Sequence, residues 1–295
     1  MTRIGWIGTG LMGARMAAHL VRADHPLSVW NRSRDKAQAL LAEGASWAGS
    51  PAELAAGCEV LMTSLTDAAA VDAVLFESQA AAALHQGSMV IDLSSITPAA
   101  ARAHAAALRQ RGVAHLDAPV SGGTRGAEGA SLAIMVGGEA PEFERARPLL
   151  ALLGRPTHVG PSGAGQIAKL ANQVIVAISI NAVAEALTLA ARAGADPVAV
   201  RSALAGGFAD SRILQEHGLR MLNDDVAPGG TVRNQLKDLD AAHALAQASA
   251  LGLPLLQAAR GQFAALKAAC GDQLDHSAIY RMLMAQSAAP GGGSK

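Results

Sequence analysis

Three glycines near the start of the chain have the spacing of a dinucleotide-binding turn. The residues Gly8-Thr9-Gly10-Leu11-Met12-Gly13 follow the apolar run Ile4–Ile7 and precede a stretch with helical periodicity. The first glycine permits a tight turn, the second lets a pyrophosphate approach the backbone, and the third packs the helix against the strand. Free N–H groups at the helix start would then hold the anion. A chance pattern is the alternative in a chain with 31 glycines, but the strand and helix context favours a dinucleotide site.

The residues after the second predicted strand indicate which dinucleotide would bind. Leu27–Trp30 ends about twenty residues after the turn, where an NAD site places an Asp or Glu against the ribose 2′-hydroxyl. Here the residues are Asn31, Arg32 and Ser33. Because a guanidinium group and small donors replace the carboxylate, the sequence predicts that NADPH is preferred over NADH. The alternative is a solvated arginine at a strand end.

A row of polar side chains interrupts an apolar stretch in the second half of the chain. Lys169 and Glu185 are the only Lys, Arg, Asp or Glu residues in the range 156–191. The polar positions that share one helical face at its start are Gln166, Lys169, Asn172 and Gln173. This stripe is typical of a cleft wall, whereas the alternative is a lysine whose ammonium group reaches solvent along the surface.

Two further segments could bind a small molecule. Asp117-Ala118-Pro119-Val120-Ser121-Gly122-Gly123 follows a predicted strand, where ligands of doubly wound sheets lie. Its serine and glycines could turn N–H groups toward a carboxylate, although an ordinary glycine turn is equally compatible. The second segment, Lys237-Asp238-Leu239-Asp240, is by its residues alone better explained as a solvated charge cluster on a helix.

The elements that must position these residues fall into two kinds. From Arg3 to about Val159, short apolar runs alternate with helical stretches, as in the βαβ units of a parallel sheet. The later strands are predicted at Val60–Ser64, Met89–Leu93, His115–Asp117 and Ala133–Val136. Beyond them one long helix, with Ser162 as its N-cap, begins a wholly helical region. We therefore predict an α/β Rossmann-type domain over residues 1–161, an all-α domain over 162–287 joined to it by a long interdomain helix, and a flexible tail over 288–295.

Composition narrows the class of protein. The formal net charge is +0, which argues against partners such as nucleic acid or an anionic membrane surface. Two distant cysteines and nine histidines without ligand spacing predict no disulfide framework and no metal site. The longest apolar stretch, Val174–Ala191, contains polar residues that a lipid-facing span would avoid, so we expect a buried helix. With no leader visible, we expect a cytoplasmic protein.

Taken together, these segments resemble the β-hydroxyacid dehydrogenase family, which includes 3-hydroxyisobutyrate dehydrogenase and, more distantly, 6-phosphogluconate dehydrogenase. The resemblance covers residues 3 to 287, and its ordered markers are the glycine turn, 117–123, 165–173 and 237–239. Residues 169–177, 206–214 and 275–278 look most like the tartronate semialdehyde reductase (2-hydroxy-3-oxopropionate reductase) branch. Two departures are Thr66, where many members have proline, and the loop 228–231, which is bulkier in many members.

The resemblance implies roles for individual residues. It makes Lys169 the catalytic acid and base with Asn172 beside it, and places the substrate carboxylate on Ser121, Gly122 and Gly123. Lys237 would close the site from the helical domain and touch both ligands. The cofactor contacts would include Leu65, Thr66 and Ser95 besides the residues of the glycine turn. The family's usual assembly implies a homodimer or homotetramer.

The function that this resemblance favours is an NADP(H)-dependent interconversion of a short 3-hydroxy acid and its semialdehyde, with D-glycerate and tartronate semialdehyde as the leading pair. The alternative within the class is 3-hydroxyisobutyrate or another small semialdehyde or glyoxylate. A non-catalytic NADP-binding scaffold is the alternative from a different class. It is disfavoured because a scaffold would gain nothing from a lysine in an apolar helix. An imine-reducing relative is disfavoured because such relatives usually lack this lysine.

Overall fold

A mixed β-sheet forms the centre of the first part of the chain. The computed structural model describes residues 1–286, so the tail predicted at 288–295 lies outside the described residues. The strands of the sheet are β1 (Ile4–Ile7), β2 (Leu27–Trp30), β3 (Ser46–Trp47), β4 (Val60–Thr63), β5 (Met89–Asp92), β6 (Ala114–Asp117), β7 (Val120–Ser121), β8 (Leu132–Gly137) and β9 (Gly154–Gly160). Their spatial order is β3-β2-β1-β4-β5-β6-β8-β7, and β9 pairs with β8.

Helices connect these strands and then make up the rest of the described chain. Those of the first part are α1 (Gly13–Arg22), α2 (Gln38–Ala42), α3 (Pro51–Ala56), α4 (Ala68–Asp72), α5 (Ala80–Ala83), α6 (Pro98–Arg109), α7 (Gly123–Glu128) and α8 (Ala140–Ala151). They are followed by α9 (Ala164–Arg192), α10 (Pro197–Leu204), α11 (Arg212–Leu222), α12 (Val232–Ala248), α13 (Pro254–Cys270) and α14 (Ile279–Gln286). The predicted order of an α/β part and a helical part joined by a long helix is confirmed.

The order of the central strands creates the crevice in which such sheets bind ligands. Strand β1 pairs in parallel with both β2 and β4, so the chain reverses its direction across the sheet beside β1. The turn after β1 and the loop after β4 therefore flank a topological switch point. The glycine turn occupies one side of that point, as the sequence predicts.

The predicted parallel sheet is present, but one edge of it is antiparallel. Strand β8 runs antiparallel to β6 and to β7, with Ser121 opposite Ala133. The physical reason is that the chain turns back through the six-residue helix α7, which leads directly into the returning strand instead of a full crossover. Only β9 then pairs in parallel with β8.

Apolar residues cover both faces of the sheet. Ile4 and Trp6 belong to one buried cluster, whereas Ile7 and Leu61 belong to another, because successive side chains of a strand point to opposite faces. The helical part has a core of its own, which includes Ile180, Leu239 and Phe263. The described chain divides into two compact units, Met1–Lys169 and the residues from Leu170 onward, so the division falls within α9.

Helix α9 is not buried on all sides, which corrects the expectation drawn from its apolar sequence. Its fully buried side chains form one stripe that includes Ala177, Ile180 and Leu187, while Ile175 and Leu189 are 66% and 70% exposed. By length and composition alone it is the one helix of residues 1–286 that could cross a membrane, and 33% of its most apolar window is buried. A stripe arises because a helix packed on one side buries only the positions three and four residues apart.

Candidate functional site

The glycine turn has the shape of a cradle for an anion. A Cβ on Gly8, whose φ is +98°, would clash with the carbonyl oxygen of Ser64, and a Cβ on Gly13 would clash with the carbonyl oxygen of Gly8. At Gly10, by contrast, no heavy atom of the described residues lies within 4 Å of the added Cβ position. The buried Thr9 hydroxyl has no hydrogen-bond partner in this part of the chain, and no side chain caps the start of α1. Open space and unused donors at this turn fit a dinucleotide pyrophosphate.

The residues predicted to read the ribose lie directly beside this turn. Asn31 Oδ1 accepts the Thr9 N–H at 3.1 Å, and Asn31 Nδ2 donates to the Ser33 carbonyl at 2.9 Å. Arg32 is exposed at the end of β2. Sequence reasoning did not single out Arg34, whose guanidinium carbon lies 5.4 Å from the Trp47 ring centroid. A second arginine held over an aromatic ring at the same strand end adds positive charge there.

The loops after β4 and β5 are joined by hydrogen bonds. Asp92 Oδ1 accepts from the Thr63 hydroxyl at 2.7 Å and from the Ser94 N–H at 3.0 Å. The Ser94 hydroxyl in turn accepts the Leu65 N–H at 2.9 Å. These bonds connect the loops that carry the predicted cofactor residues Leu65 and Ser95. Thr66 is exposed beside Leu65, and its hydroxyl donates to Asp67 at 3.0 Å.

Asp92 is an acid group in the sheet interior. Burial raises the pKa of its carboxyl, against the opposing hydrogen bonds from Ser94 and Thr63. Its second oxygen, Oδ2, is buried without a hydrogen-bond partner among the described residues. The direction of the shift has a physical cause, because an unpaired charge at that oxygen would carry a large desolvation cost. The signal in the sequence was a single carboxylate that ends the otherwise apolar strand Met89–Asp92.

A buried carboxylate holds the start of helix α9. Asp117, at the end of β6, accepts the Gly163 N–H at 2.7 Å and the Gln166 N–H at 2.9 Å. The predicted cap was Ser162, but the carboxylate reaches these N–H groups because Gly165 lets the helix approach β6 closely. A Cβ on Gly165 would clash with the carbonyl oxygens of Asp117 and Met135. Burial raises the pKa of Asp117, against the two N–H bonds that lower it.

The side chain of Gln166 joins the same helix to the loop after β5. Its Oε1 accepts the Ile96 N–H at 3.1 Å, and its Nε2 donates to the Ser94 carbonyl at 2.8 Å. Lys169 follows three residues later and is only 9% exposed. The structure therefore places the predicted catalytic lysine one turn beyond a helix start that is bonded to the loop carrying the predicted cofactor residue Ser95.

The predicted carboxylate-binding segment is partly a strand and partly a helix start. Ser121 is half-buried in β7, and Gly122 and Gly123 have φ values of +139° and +61°. Both values are in the region that favours glycine. A Cβ on Gly123 would meet no heavy atom of the described residues within 4 Å. The segment thus offers a hydroxyl group and an open backbone, as a site for a small anion requires.

In the second unit, amide side chains connect the other predicted residues. Gln173 Oε1 accepts from Asn172 at 2.9 Å, and Gln173 Nε2 donates to Asp238 Oδ2 at 2.6 Å. Lys237 Nζ lies 3.6 Å from Asp238 Oδ1. Asp238 is only 7% exposed, so the reading of this segment as a solvated charge cluster is wrong at Asp238. The carboxylate is buried because α12 turns it toward the polar stripe of α9.

Histidines without ligand spacing in the sequence meet in the second unit. The ligand atoms of His217, Asp275 and His276 lie within 4.8 Å of one another. However, Asp275 already accepts the N–H groups of Gly229, Gly230 and Ser277. The guanidinium group of Arg220 also lies 3.7 Å from Asp275, which disfavours a second cation there. The cluster is best explained as an anchor for the loop 228–231.

Comparisons with known proteins identify the family. The model of the NAD binding domain of 6-phosphogluconate dehydrogenase matches residues 3–188. The model described as NAD-binding of NADP-dependent 3-hydroxyisobutyrate dehydrogenase matches residues 163–283. The two matches together cover nearly all of the described chain.

Individual relatives agree with the family models. The chain is 43% identical over 283 residues to 2-hydroxy-3-oxopropionate reductase of Escherichia coli K12, covering 95% of this chain and 97% of that protein. It is similar to the structure of Mycobacterium tuberculosis 3-hydroxyisobutyrate dehydrogenase with L-serine, with a TM-score of 0.88, 32% identity and coverage of 96% and 99%. It is also similar to Psf3 in complex with NADP⁺ and 2-OPP, with a TM-score of 0.86, 27% identity and coverage of 95% and 99%.

These matches extend over both units, and they include the segments that carry the glycine turn, Asp117, Gln166 and Lys169. Their breadth excludes a likeness limited to the dinucleotide-binding fold. The chain therefore belongs to the β-hydroxyacid dehydrogenase family, in its 3-hydroxyisobutyrate dehydrogenase-like group, and is an oxidoreductase that uses a nicotinamide dinucleotide.

Proposed function

We propose that the protein is an NADP(H)-dependent reductase that interconverts a short 3-hydroxy acid and its semialdehyde, with D-glycerate and tartronate semialdehyde as the pair. The observation that carries this proposal is the 43% identity to a 2-hydroxy-3-oxopropionate reductase over 95% of the chain. Because the relatives are named as reductases and dehydrogenases, they do not support the alternative of a non-catalytic scaffold.

The residues of the glycine turn would hold the cofactor. The N–H groups at the start of α1 and the open space at Gly10 suit its pyrophosphate. Asn31, Arg32 and Ser33 would face the adenosine ribose, and Arg32 supports a preference for the 2′-phosphate of NADP. Leu65, Thr66 and Ser95 lie on the loops that follow β4 and β5, at the same edge of the sheet. When bound, the nicotinamide supplies or accepts the hydride.

Lys169 would move the proton of the reaction. During reduction, negative charge develops on the carbonyl oxygen of the semialdehyde, and the Nζ ammonium can stabilise that charge and donate a proton to it. During oxidation, the neutral amine would accept the hydroxyl proton. Asn172 lies on the same helical face and would help to orient the reacting oxygen.

The Ser121 hydroxyl and the backbone N–H groups of Gly122 and Gly123 would bind the substrate carboxylate. This arrangement would bind the carboxylate without a charged side chain. The role that the resemblance gives Lys237 stays a prediction.

A second candidate is 3-hydroxyisobutyrate oxidation, because the fold is similar to a 3-hydroxyisobutyrate dehydrogenase at a TM-score of 0.88. The two candidates differ in the group beside the reacting carbon, a hydroxyl in one and a methyl in the other. A comparison of kcat/KM for tartronate semialdehyde, methylmalonate semialdehyde and an uncharged aldehyde separates them. A preference for methylmalonate semialdehyde would favour the second candidate, and a preference for the uncharged aldehyde would contradict the carboxylate site.

The role of Lys169 is tested by Lys169→Ala. Because positioned proton transfer contributes about 100- to 10,000-fold, kcat should fall by at least about 100-fold while NADPH binding by fluorescence titration is retained. Lys169→Arg should not restore oxidation, since a guanidinium group cannot act as a base. Lys267→Ala, which removes an exposed lysine of α13, is the matched control. A Lys169→Ala enzyme with more than about a tenth of the wild-type kcat would contradict the assignment.

The exposed side of α9 supports a homodimer or homotetramer. Ile175 and Leu189 are large apolar side chains exposed on that helix. A second copy of the chain would remove such a surface from water. The expectation of a cytoplasmic protein stays a prediction.

A further inference from the structure

We infer that Gln166 is a positioning residue for this reaction. Its side chain couples the turn of α9 that carries Lys169 to the loop that carries Ser95. The inference rests on the proposed function, in which Lys169 moves the proton and Ser95 contacts the cofactor. Gln166 itself lies one helical turn before Lys169 and is assigned no contact with either ligand.

The contacts of Gln166 use both ends of its amide. The Oε1 atom accepts from Ile96 N at 3.1 Å, and the Nε2 atom donates to Ser94 O at 2.8 Å. The two loop groups flank Ser95 on either side in the sequence. The residue is 1% exposed, so water cannot replace these bonds at the same position.

Helix formation does not require this side chain. The N–H of Gln166 is already accepted by Asp117, which also accepts the Gly163 N–H. A buried apolar side chain of similar length would fill the same space without the cost of burying an amide. The amide therefore has a role that packing and capping do not explain, namely to hold the loop against the helix.

The bonds extend to the next loop of the site. The Ser94 hydroxyl accepts the Leu65 N–H, and Asp92 accepts the Ser94 N–H. Displacement of the 94–96 loop would consequently move the predicted contacts of both cofactor loops relative to Lys169. A misplacement of about 1 Å can cost about 100-fold in rate, even from outside the reacting groups.

Substitution with glutamate gives a test that depends on protonation. In Gln166→Glu, the protonated carboxyl can still accept from Ile96 N and donate to the Ser94 carbonyl, whereas the carboxylate cannot donate. The ionisable groups around this position are Asp117 of β6, which accepts the Gln166 N–H, and Asp92 of β5, which accepts the Ser94 N–H. The cations are Lys169 of α9, three residues later, and Arg102 of α6, which lies beside Gly163. Burial and any ionised neighbouring carboxylate would raise the pKa of the new carboxyl, and the Lys169 and Arg102 cations would oppose them.

The expected result is a ratio of mutant to wild-type kcat that rises at least about tenfold as the pH falls from about 8.5 to about 6. Gln110→Glu, an exposed position at the end of α6, is the matched control, and its ratio should stay flat. Gln166→Met, which removes both bonds at similar length, should lower kcat about 10- to 100-fold while the melting temperature shows a folded enzyme.

A flat ratio for Gln166→Glu, or a Gln166→Met enzyme with wild-type kcat, would overturn the inference. If the glutamate variant does not fold, the methionine variant decides. The Lys169→Ala variant distinguishes a failure of the Gln166 inference from a failure of the proposed function. An inactive Lys169→Ala enzyme beside a flat Gln166→Glu ratio removes only the inference, whereas an active Lys169→Ala enzyme removes the assignment of the proton to Lys169.

Discussion

Replacing Asp117 with asparagine should destabilise the first unit and reduce activity. The wild-type carboxyl accepts two N–H groups, from Gly163 at 2.7 Å and from Gln166 at 2.9 Å. An asparagine has only one acceptor oxygen, so its NH₂ group must face one of these donors. The substitution changes the shape of the side chain very little, and the loss is therefore one of hydrogen bonding.

The expected size follows from burial. Asp117 is 0% exposed, so the N–H that loses its acceptor stays out of water. A buried, unsatisfied donor costs about 1–3 kcal/mol, and we expect Asp117→Asn to lower the free energy of unfolding by that amount. Asp117→Ala, which leaves both donors unsatisfied, should cost about twice as much. Because Lys169 lies in the next turn, kcat should fall as well.

Tryptophan fluorescence can measure this loss of stability in the compact unit that contains Asp117. All three tryptophans, Trp6, Trp30 and Trp47, lie within Met1–Lys169. Urea unfolding followed by their emission therefore reports the unit that contains Asp117, and a shift of midpoint at constant slope gives the change in stability.

Asp67→Asn is the matched control. Asp67 also caps a helix of the first unit, by accepting the Ala70 N–H at 2.9 Å, but it is exposed to solvent. Asparagine is an equally good cap where water can satisfy the remaining donor, so this variant should change stability by less than about 0.5 kcal/mol. If Asp117→Asn is no less stable than Asp67→Asn, the buried-cap argument is refuted.

Three further predictions concern the cofactor, pH and assembly. Arg32→Ala should lower the preference for NADPH over NADH by about 10- to 100-fold, because a charge-assisted contact is worth about 1.5–3 kcal/mol. Asp92→Asn should gain stability relative to wild type as the pH rises, measured by urea unfolding at two pH values. The sign follows because burial raises the pKa of the Asp92 carboxyl in the folded state. The contribution of this carboxyl to wild-type stability is therefore fully present below the unfolded-state pKa of 3.8, and it is lost as the pH rises through the folded-state pKa. Ile175→Glu with Leu189→Glu should convert an oligomer to a monomer in light scattering, because a charge on an apolar interface is strongly disfavoured.

Each of these predictions has a clear contrary result. Equal loss of both cofactors in Arg32→Ala would show that the arginine does not read the 2′-phosphate. A stability difference for Asp92→Asn that does not change with pH would show that the Asp92 carboxyl is not perturbed in the folded state. An unchanged mass for the α9 variant, with Leu251→Glu at another exposed apolar position as its control, would place any interface elsewhere.

The sequence by itself determined the elements whose signals are local. The glycine spacing at 8–13 predicts a turn after a strand, since only glycine fits the tight approaches at Gly8 and Gly13. Alternation of strands and helices predicts the α/β part, and the stripe at Gln166, Lys169, Asn172 and Gln173 is read from helical periodicity alone. The helical character of the chain beyond the sheet was likewise visible, because it depends on local helical patterns and on the stop and start signals between them.

Only the tertiary structure decided which distant groups meet. The antiparallel return of β8 depends on strand pairing that no local pattern encodes. The cap of α9 is Asp117 from β6, not its neighbour Ser162, because close packing at Gly165 brings a carboxylate from 46 residues away to the helix start. Asp238 is buried rather than solvated because Gln173, 65 residues earlier, supplies its partner. Side-chain pairing across such separations is set by packing geometry, and the sequence shows only that the groups are available.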